Sequence, residues 1–243
     1  MNRRRSILRV IAQVIGRWQW SCLLIVTVTT LLLGSPCIAD ERSCVLATVQ
    51  PLATDAGLQA YREGGNAVDA AIAAALTLGV VDTHNSGIGG GCFILIRRPD
   101  GGIVAIDGRE TAPLAATADM FVRDGKADPE LSTTGALAVG VPGALAAYQS
   151  ALRRAGRRQL ADLLRPAADL ADQGFVIDRI YAGNLKSKAD ILARFAGSRA
   201  TLLKPDGHPY GEGETLRQPD LARTYRMIAD RGIDWFYRCL LYT

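Results

Sequence analysis

Arg109 is the residue whose type and position say most about chemistry. It follows Ile103-Val104-Ala105-Ile106, a strand pattern, and stands directly after Gly108, which removes side-chain bulk beside it. A guanidinium on a rigid strand end can grip a carboxylate through two parallel hydrogen bonds. The plain alternative is a local ion pair with Asp107 or Glu110, and composition alone favours that alternative. The loop Asn85-Ser86-Gly87-Ile88-Gly89-Gly90-Gly91 is the second candidate. Its order is helix, loop, strand, which is the reverse of a dinucleotide fingerprint, and no Lys with Ser or Thr follows it as a phosphate loop requires. Left-handed backbone and close approach are what such glycines offer, with amides able to face an anion. A tight helix-to-strand connection under a packed core outweighs direct ligand contact here. Thr133-Thr134-Gly135 has no base nearby in sequence and reads as a turn, and no G-x-S-x-G elbow occurs. His84 and His208 stand far apart without ligand-spaced neighbours, so neither a structural zinc nor any cofactor is expected.

The elements that must position these residues follow from periodicity. Val45, Leu46, Thr48 and Val49 suggest a short strand over 43–51 that Pro51 ends. Thr54 is expected to cap a helix through Arg62, stopped by Gly64-Gly65, and Asn66 to cap a second. That second helix, from Ala67 through Leu78, is small or apolar on nearly every face, so burial all round is expected. Cys92-Phe93-Ile94-Leu95-Ile96 reads as a buried strand, Pro99-Asp100-Gly101-Gly102 as a hairpin turn, and 103–106 as the antiparallel return. Helices are predicted over 142–154, 160–173, 179–195 and 219–231, with Gly156, Gly174 and Gly232 as stops. No repeat or polar linker marks a second domain, and the pattern is one α+β unit.

Charge and composition remove whole classes of function. The chain has 243 residues, 49% of them apolar, and a formal net charge of +4. Residues 1–39 hold five Arg and no acid, which leaves 23 Lys and Arg against 24 Asp and Glu in the remainder. A body carrying −1 has no basic face for nucleic acid. The arginines at 3, 4, 5 and 9, the apolar run Cys22–Leu33 and the small residues Cys37-Ile38-Ala39 predict a signal peptide over 1–39, cleaved before Asp40. The apolar run is 12 residues, whereas an uncleaved anchor, the alternative, needs about 20. Arg4-Arg5 leaves a twin-arginine route open beside the general one. The expectation is an exported protein, periplasmic or secreted, that meets a membrane only during export. Cys44, Cys92 and Cys239 remain after cleavage, an odd number that does not form a disulfide framework.

Six segments in register resemble the γ-glutamyltranspeptidases, or glutathione hydrolases. They are Gly64-Gly65-Asn66-Ala67-Val68-Asp69-Ala70-Ala71, the 87–91 loop, Arg109-Glu110-Thr111-Ala112-Pro113, Val141-Pro142-Gly143, Leu170–Phe175, and 211–214 through Phe236-Tyr237. The resemblance spans roughly residues 45–238 and implies an N-terminal-nucleophile hydrolase with an αββα sandwich, here incomplete. Such enzymes cleave their own precursor before a Thr, whose free α-amine then serves as its base. The acyl group passes to water or to an acceptor amino acid or peptide, and the donors are glutathione and other γ-glutamyl compounds. The Arg of the R-E-x-A-P segment holds the substrate's α-carboxylate, a role the resemblance gives to Arg109 over the local ion pair. The family's nucleophilic Thr, oxyanion-hole glycines and amine-holding acids belong to a small subunit from the same precursor. None of them matches a position in this sequence. Residues 40–243 are thus expected to be a large-subunit domain truncated at its C-terminus, inactive alone, ending in the atypical Cys239-Leu240-Leu241-Tyr242-Thr243. A secreted non-enzymatic glutamate-binding or interaction protein, and an acylase or amidase of the same superfamily, are the other readings.

Overall fold

A computed structural model describes residues 44–240, with the backbone alone for Cys239 and Leu240. The signal-peptide reading of 1–39 falls outside the described residues, as do Leu241–Thr243. No strand forms over 44–50. Pro51 instead opens helix α1, Pro51–Arg62, with the Gln50 side chain accepting from the Leu52 amide at 2.6 Å. Proline at a first helical position has its fixed φ ready for the helix and no N–H to orphan, so it starts an element here rather than stopping one. Thr54, expected as the cap, sits inside the first turn with its hydroxyl 2.8 Å from that of Thr48.

Helix α2, Ala67–Val81, carries the capping box of Asn66 and Asp69. It is buried along most of its length, as its apolar circumference requires. Helix α1 lies close against it: a Cβ on Gly57 would stand 2.7 Å from the Ala70 carbonyl oxygen. Strands β1, Cys92–Arg97, and β2, Ile103–Gly108, form an antiparallel hairpin that pairs Cys92 with Gly108 and Ile96 with Val104. The expected burial of β1 holds for one face only. Ile94, Ile96, Val104 and Ile106 turn inward, whereas Phe93, Leu95 and Ile103 are 68%, 76% and 71% exposed. A short apolar run does not say whether one or both of its faces are covered.

Short strands β3, Val122–Arg123, and β4, Lys126–Ala127, pair with each other, and helix α3, Pro129–Thr133, follows them. Helices α4, Ala144–Ala155, and α5, Leu160–Gln173, then supply Leu145, Ala151, Leu164 and Ala168 to the core. Helix α5 ends at Gly174, whose φ of 89° suits glycine. Strand β5, Phe175–Val176, precedes α6, Arg179–Ala193, and α7, Ala196–Leu202. It pairs with β6, Thr215–Leu216, which periodicity does not reveal because each strand is two residues long. Helix α8, Pro219–Arg231, stops at Gly232, φ 80°, and leads through a short helical turn to the π-helical Phe236–Leu240. Tyr225 and Gln218 tie this segment to α2: the Tyr225 hydroxyl donates to the Leu76 carbonyl at 3.1 Å, and the Gln218 amide to that of Val80 at 2.7 Å.

The described residues therefore form a helix-rich α+β unit with three two-stranded sheets.

Candidate functional site

Three segments far apart in sequence are knitted together beyond the end of α2. The Gly90 carbonyl accepts the amides of Gly143 and Ala144, at 3.1 and 3.0 Å, as α4 begins. Thr111 and Val141 exchange backbone hydrogen bonds of 3.1 and 2.8 Å. A Cβ on Gly91 would stand 2.6 Å from Glu110 Oε2, 2.7 Å from the Gly108 carbonyl oxygen and 2.9 Å from the Arg109 Cα. Gly143 likewise presses on the Gly108 and Arg109 carbonyls, so Val141-Pro142-Gly143 packs on the strand end that carries Arg109.

Beside the glycine loop lies a cleft of about 550 Å³, with Gly87, Gly89, Gly90, Gly91, Glu110 and Tyr148 among its walls. None of the loop glycines takes a left-handed φ, contrary to one half of the sequence expectation. Close approach is the half that holds, at Gly91 and, near the end of α2, at Gly79, where a Cβ would meet the Tyr225 hydroxyl at 2.6 Å and Gly87 Cα at 3.3 Å. Burial pushes the Tyr148 hydroxyl up to about 12, and burial followed by the Glu110 charge raises the Cys92 thiol. Both groups are therefore neutral near pH 7, and neither is an activated nucleophile or base.

Arg109 leaves the end of β2 with 65% of its side chain exposed. Its Nε lies 3.5 Å from Glu110 Oε2, and its guanidinium carbon 5.9 Å from the centre of the Phe93 ring. Glu110 lines the glycine cleft and Arg109 does not. The structure thus sets the guanidinium on the outer side of the strand end, in the local pair that composition favours, with most of its donors open to solvent. Thr133 donates its hydroxyl to the Pro129 carbonyl at 2.9 Å, as a residue closing a short helix does. The segments Leu170–Phe175 and 211–214 form the end of α5 and the approach to β6, where the Gly213 amide donates to the Ile177 carbonyl at 2.8 Å. They brace the fold.

One group escapes sequence reasoning. Asp82, 6% exposed, closes the C-terminal end of α2 and accepts from two side chains of the following loop. These are Ser86 Oγ at 3.2 Å and Asn85 Nδ2 at 3.3 Å, and His84 Nε2 stands 3.1 Å from its Oδ1. The spacing Asp-x-x-x-Ser before a glycine run is the available signal. Beside this group, Thr83 and Tyr181 share a hydroxyl hydrogen bond of 2.5 Å. A larger groove, about 900 Å³ and mainly apolar, runs past Ile88, Pro113, Leu114, Val141, Phe236 and Tyr237.

The motif segments that meet here are those by which a known family is recognised. A sequence model of γ-glutamyltranspeptidase matches residues 53–241. The chain belongs to the γ-glutamyltranspeptidase family. It is 41% identical over 196 residues to the glutathione hydrolase proenzyme of Escherichia coli, a match that covers 80% of this chain and 34% of that one. An acylase ACY 1 proenzyme of Pseudomonas is also 41% identical, over 79% of this chain and 36% of its own length. Among solved structures, the γ-glutamyltranspeptidase of Helicobacter pylori superposes with a TM-score of 0.79 at 37% identity, over 82% of this chain and 58% of that one. The chain spans about a third of the length of the curated relatives it matches.

Proposed function

We propose that this chain supplies the large-subunit part of a γ-glutamyltransferase with glutathione hydrolase activity. The observation that carries the reading is the meeting of the 87–91, 109–113 and 141–143 segments through backbone hydrogen bonds and close packing, with the loop glycines and Glu110 lining a cleft and Arg109 next to Glu110 on the strand end. In this reading the Arg109 guanidinium takes the α-carboxylate of a γ-glutamyl donor, since only its Nε is engaged, at 3.5 Å, and a bidentate grip remains open. A Thr hydroxyl from the small-subunit region attacks the γ-carbonyl, and the Thr α-amine accepts its proton. The amine leaves protonated, and water or an acceptor amine then takes the acyl group. The exposed apolar face of the β1–β2 hairpin, Phe93, Leu95 and Ile103, fits an αββα sandwich in which a further sheet covers it. Export through the 1–39 leader into the periplasm or medium belongs to the same reading.

The test replaces the matching segment of the Escherichia coli relative with residues 53–238 and assays release from a chromogenic γ-glutamyl anilide. Turnover above an unfused blank supports the reading. A folded, self-cleaved chimera without turnover overturns it. The likeness to the Pseudomonas acylase favours a second reading, with another acyl group. A panel of acyl anilides on the same chimera separates the two, and a carboxylate-bearing acyl group is expected to win.

A further inference from the structure

Asp82 sits where an isolated helix would not put a carboxylate. The last carbonyls of α2 point toward it, and the helix dipole disfavours a negative charge at that end. Burial adds a second cost, which only hydrogen bonds to the ionised group offset. Both side-chain donors it has among the described residues, Asn85 and Ser86, come from the loop that follows, and His84 Nε2 of the same loop stands 3.1 Å away. Its own carbonyl accepts the amides of Asn85 at 3.0 Å and Ser86 at 2.9 Å, which closes the turn a second time. The helix end beneath it is held independently, because Gln218 donates to the Val80 carbonyl at 2.7 Å. Asn85 and Ser86 themselves line the cleft beside Gly87, and the next backbone hydrogen bonds along this wall are those the Gly90 carbonyl accepts from the Gly143 and Ala144 amides.

We propose that Asp82 is the positioning residue of the glycine cleft: its carboxylate transmits the rigid end of α2 to the 87–91 loop through Asn85 and Ser86. Gly87 and Gly89 have no side chain to pack and nothing within 3.5 Å of where a Cβ would be. Ile88, 8% exposed, packs into the core between them and Gly87 lies against Gly79, while the Asp82 turn sets the direction in which the loop leaves α2. The importance of this for catalysis rests on the reading of the cleft as part of a γ-glutamyl-transfer site. The effect on the loop itself does not.

Hydrogen exchange across 85–91 in the full 243-residue chain, with α5 as the internal reference, is the first measurement. Asp82→Ala is expected to speed exchange in the loop about tenfold or more, as loss of a hydrogen-bonded charge implies, with α5 protection unchanged. Asp82→Asn keeps a neutral acceptor and is expected to restore part of the protection. Ser86→Ala removes one partner without touching the helix, and is expected to loosen the loop less. Should Asp82→Ala fail to fold, Ser86→Ala decides. Equal exchange in wild type and Ser86→Ala, or parallel loss of protection in α5, overturns the proposal. The second measurement is kinetic, in the chimera described above. Asp82→Asn is expected to raise KM for the γ-glutamyl anilide several-fold while kcat changes less. An unchanged KM alongside a loosened loop overturns the link to the cleft. If the unsubstituted chimera has no turnover, the functional reading fails, and the exchange result still decides the role of Asp82.

Discussion

Helix α2 carries a buried carboxylate at each end, and the two are solved differently. Asp69, in the first turn, is fully buried, and its oxygens accept backbone amides: Asn66 at 2.7 Å, Arg157 at 3.0 Å and Arg158 at 2.9 Å. Its charge lies with the helix dipole, and its partners are main-chain groups that cannot turn away. Asp82 lies against the dipole, and its partners are side chains of one loop. The first end joins α2 to the α4–α5 connection and so belongs to the scaffold. The second hands α2 over to the segment that walls the cleft.

The sharpest way to break this contrast is to remove each carboxylate in turn. Asp69→Ala leaves half-buried amides at 66, 157 and 158 without this acceptor, and is expected to cost about 3 kcal/mol in a urea titration. Asp82→Ala is expected to move the urea midpoint less than Asp69→Ala does, because loop side chains can turn to water. Equal losses would erase the distinction between the two ends. Next in size comes the brace on the middle of α2: Tyr225→Phe removes the donor to the Leu76 carbonyl, for an expected loss of about 1 kcal/mol.

The pH dependence sharpens the cleft side. Burial raises the Tyr148 hydroxyl to about 12, above its unfolded value. The neutral form is therefore favoured by folding, and its contribution is whole below the unfolded value of about 10. It is lost as pH rises through the folded value. Tyr148→Phe is expected to change stability little at pH 7 and to flatten the decline between pH 10 and about 12 in an alkaline melt. Smallest of all, Arg165→Ala, which breaks an exposed pair with Asp230 at 2.8 Å, is expected to cost under about 1 kcal/mol by the same titration.

What is legible in the sequence follows from how local each cause is. Asn66 three residues before Asp69, and the glycines at 174 and 232, mark helix ends through their own backbone and side-chain bonds, so residue order alone places α2, α5 and α8. Pro51 misleads because one fixed φ serves both a strand stop and a helix start, and only the Gln50 cap decides between them. Phe93 and Leu95 read as buried because apolar type says nothing about whether a covering layer is present. The chemical type of Arg109 is legible, while its neighbour in space, Glu110 rather than the cleft, is set by the side of the strand end it leaves from. Asp82 is marked only by the Asp-x-x-x-Ser spacing, because its role depends on burial, which a polar residue between a helix and a loop does not announce.

The claim that this region grips the carboxylate of a γ-glutamyl donor is tested most directly by one constant. Arg109→Ala in the chimera is expected to raise KM for the γ-glutamyl anilide at least tenfold, as loss of a charge-assisted pair implies, while self-cleavage proceeds as before. A KM equal to that of the unsubstituted chimera would contradict the account.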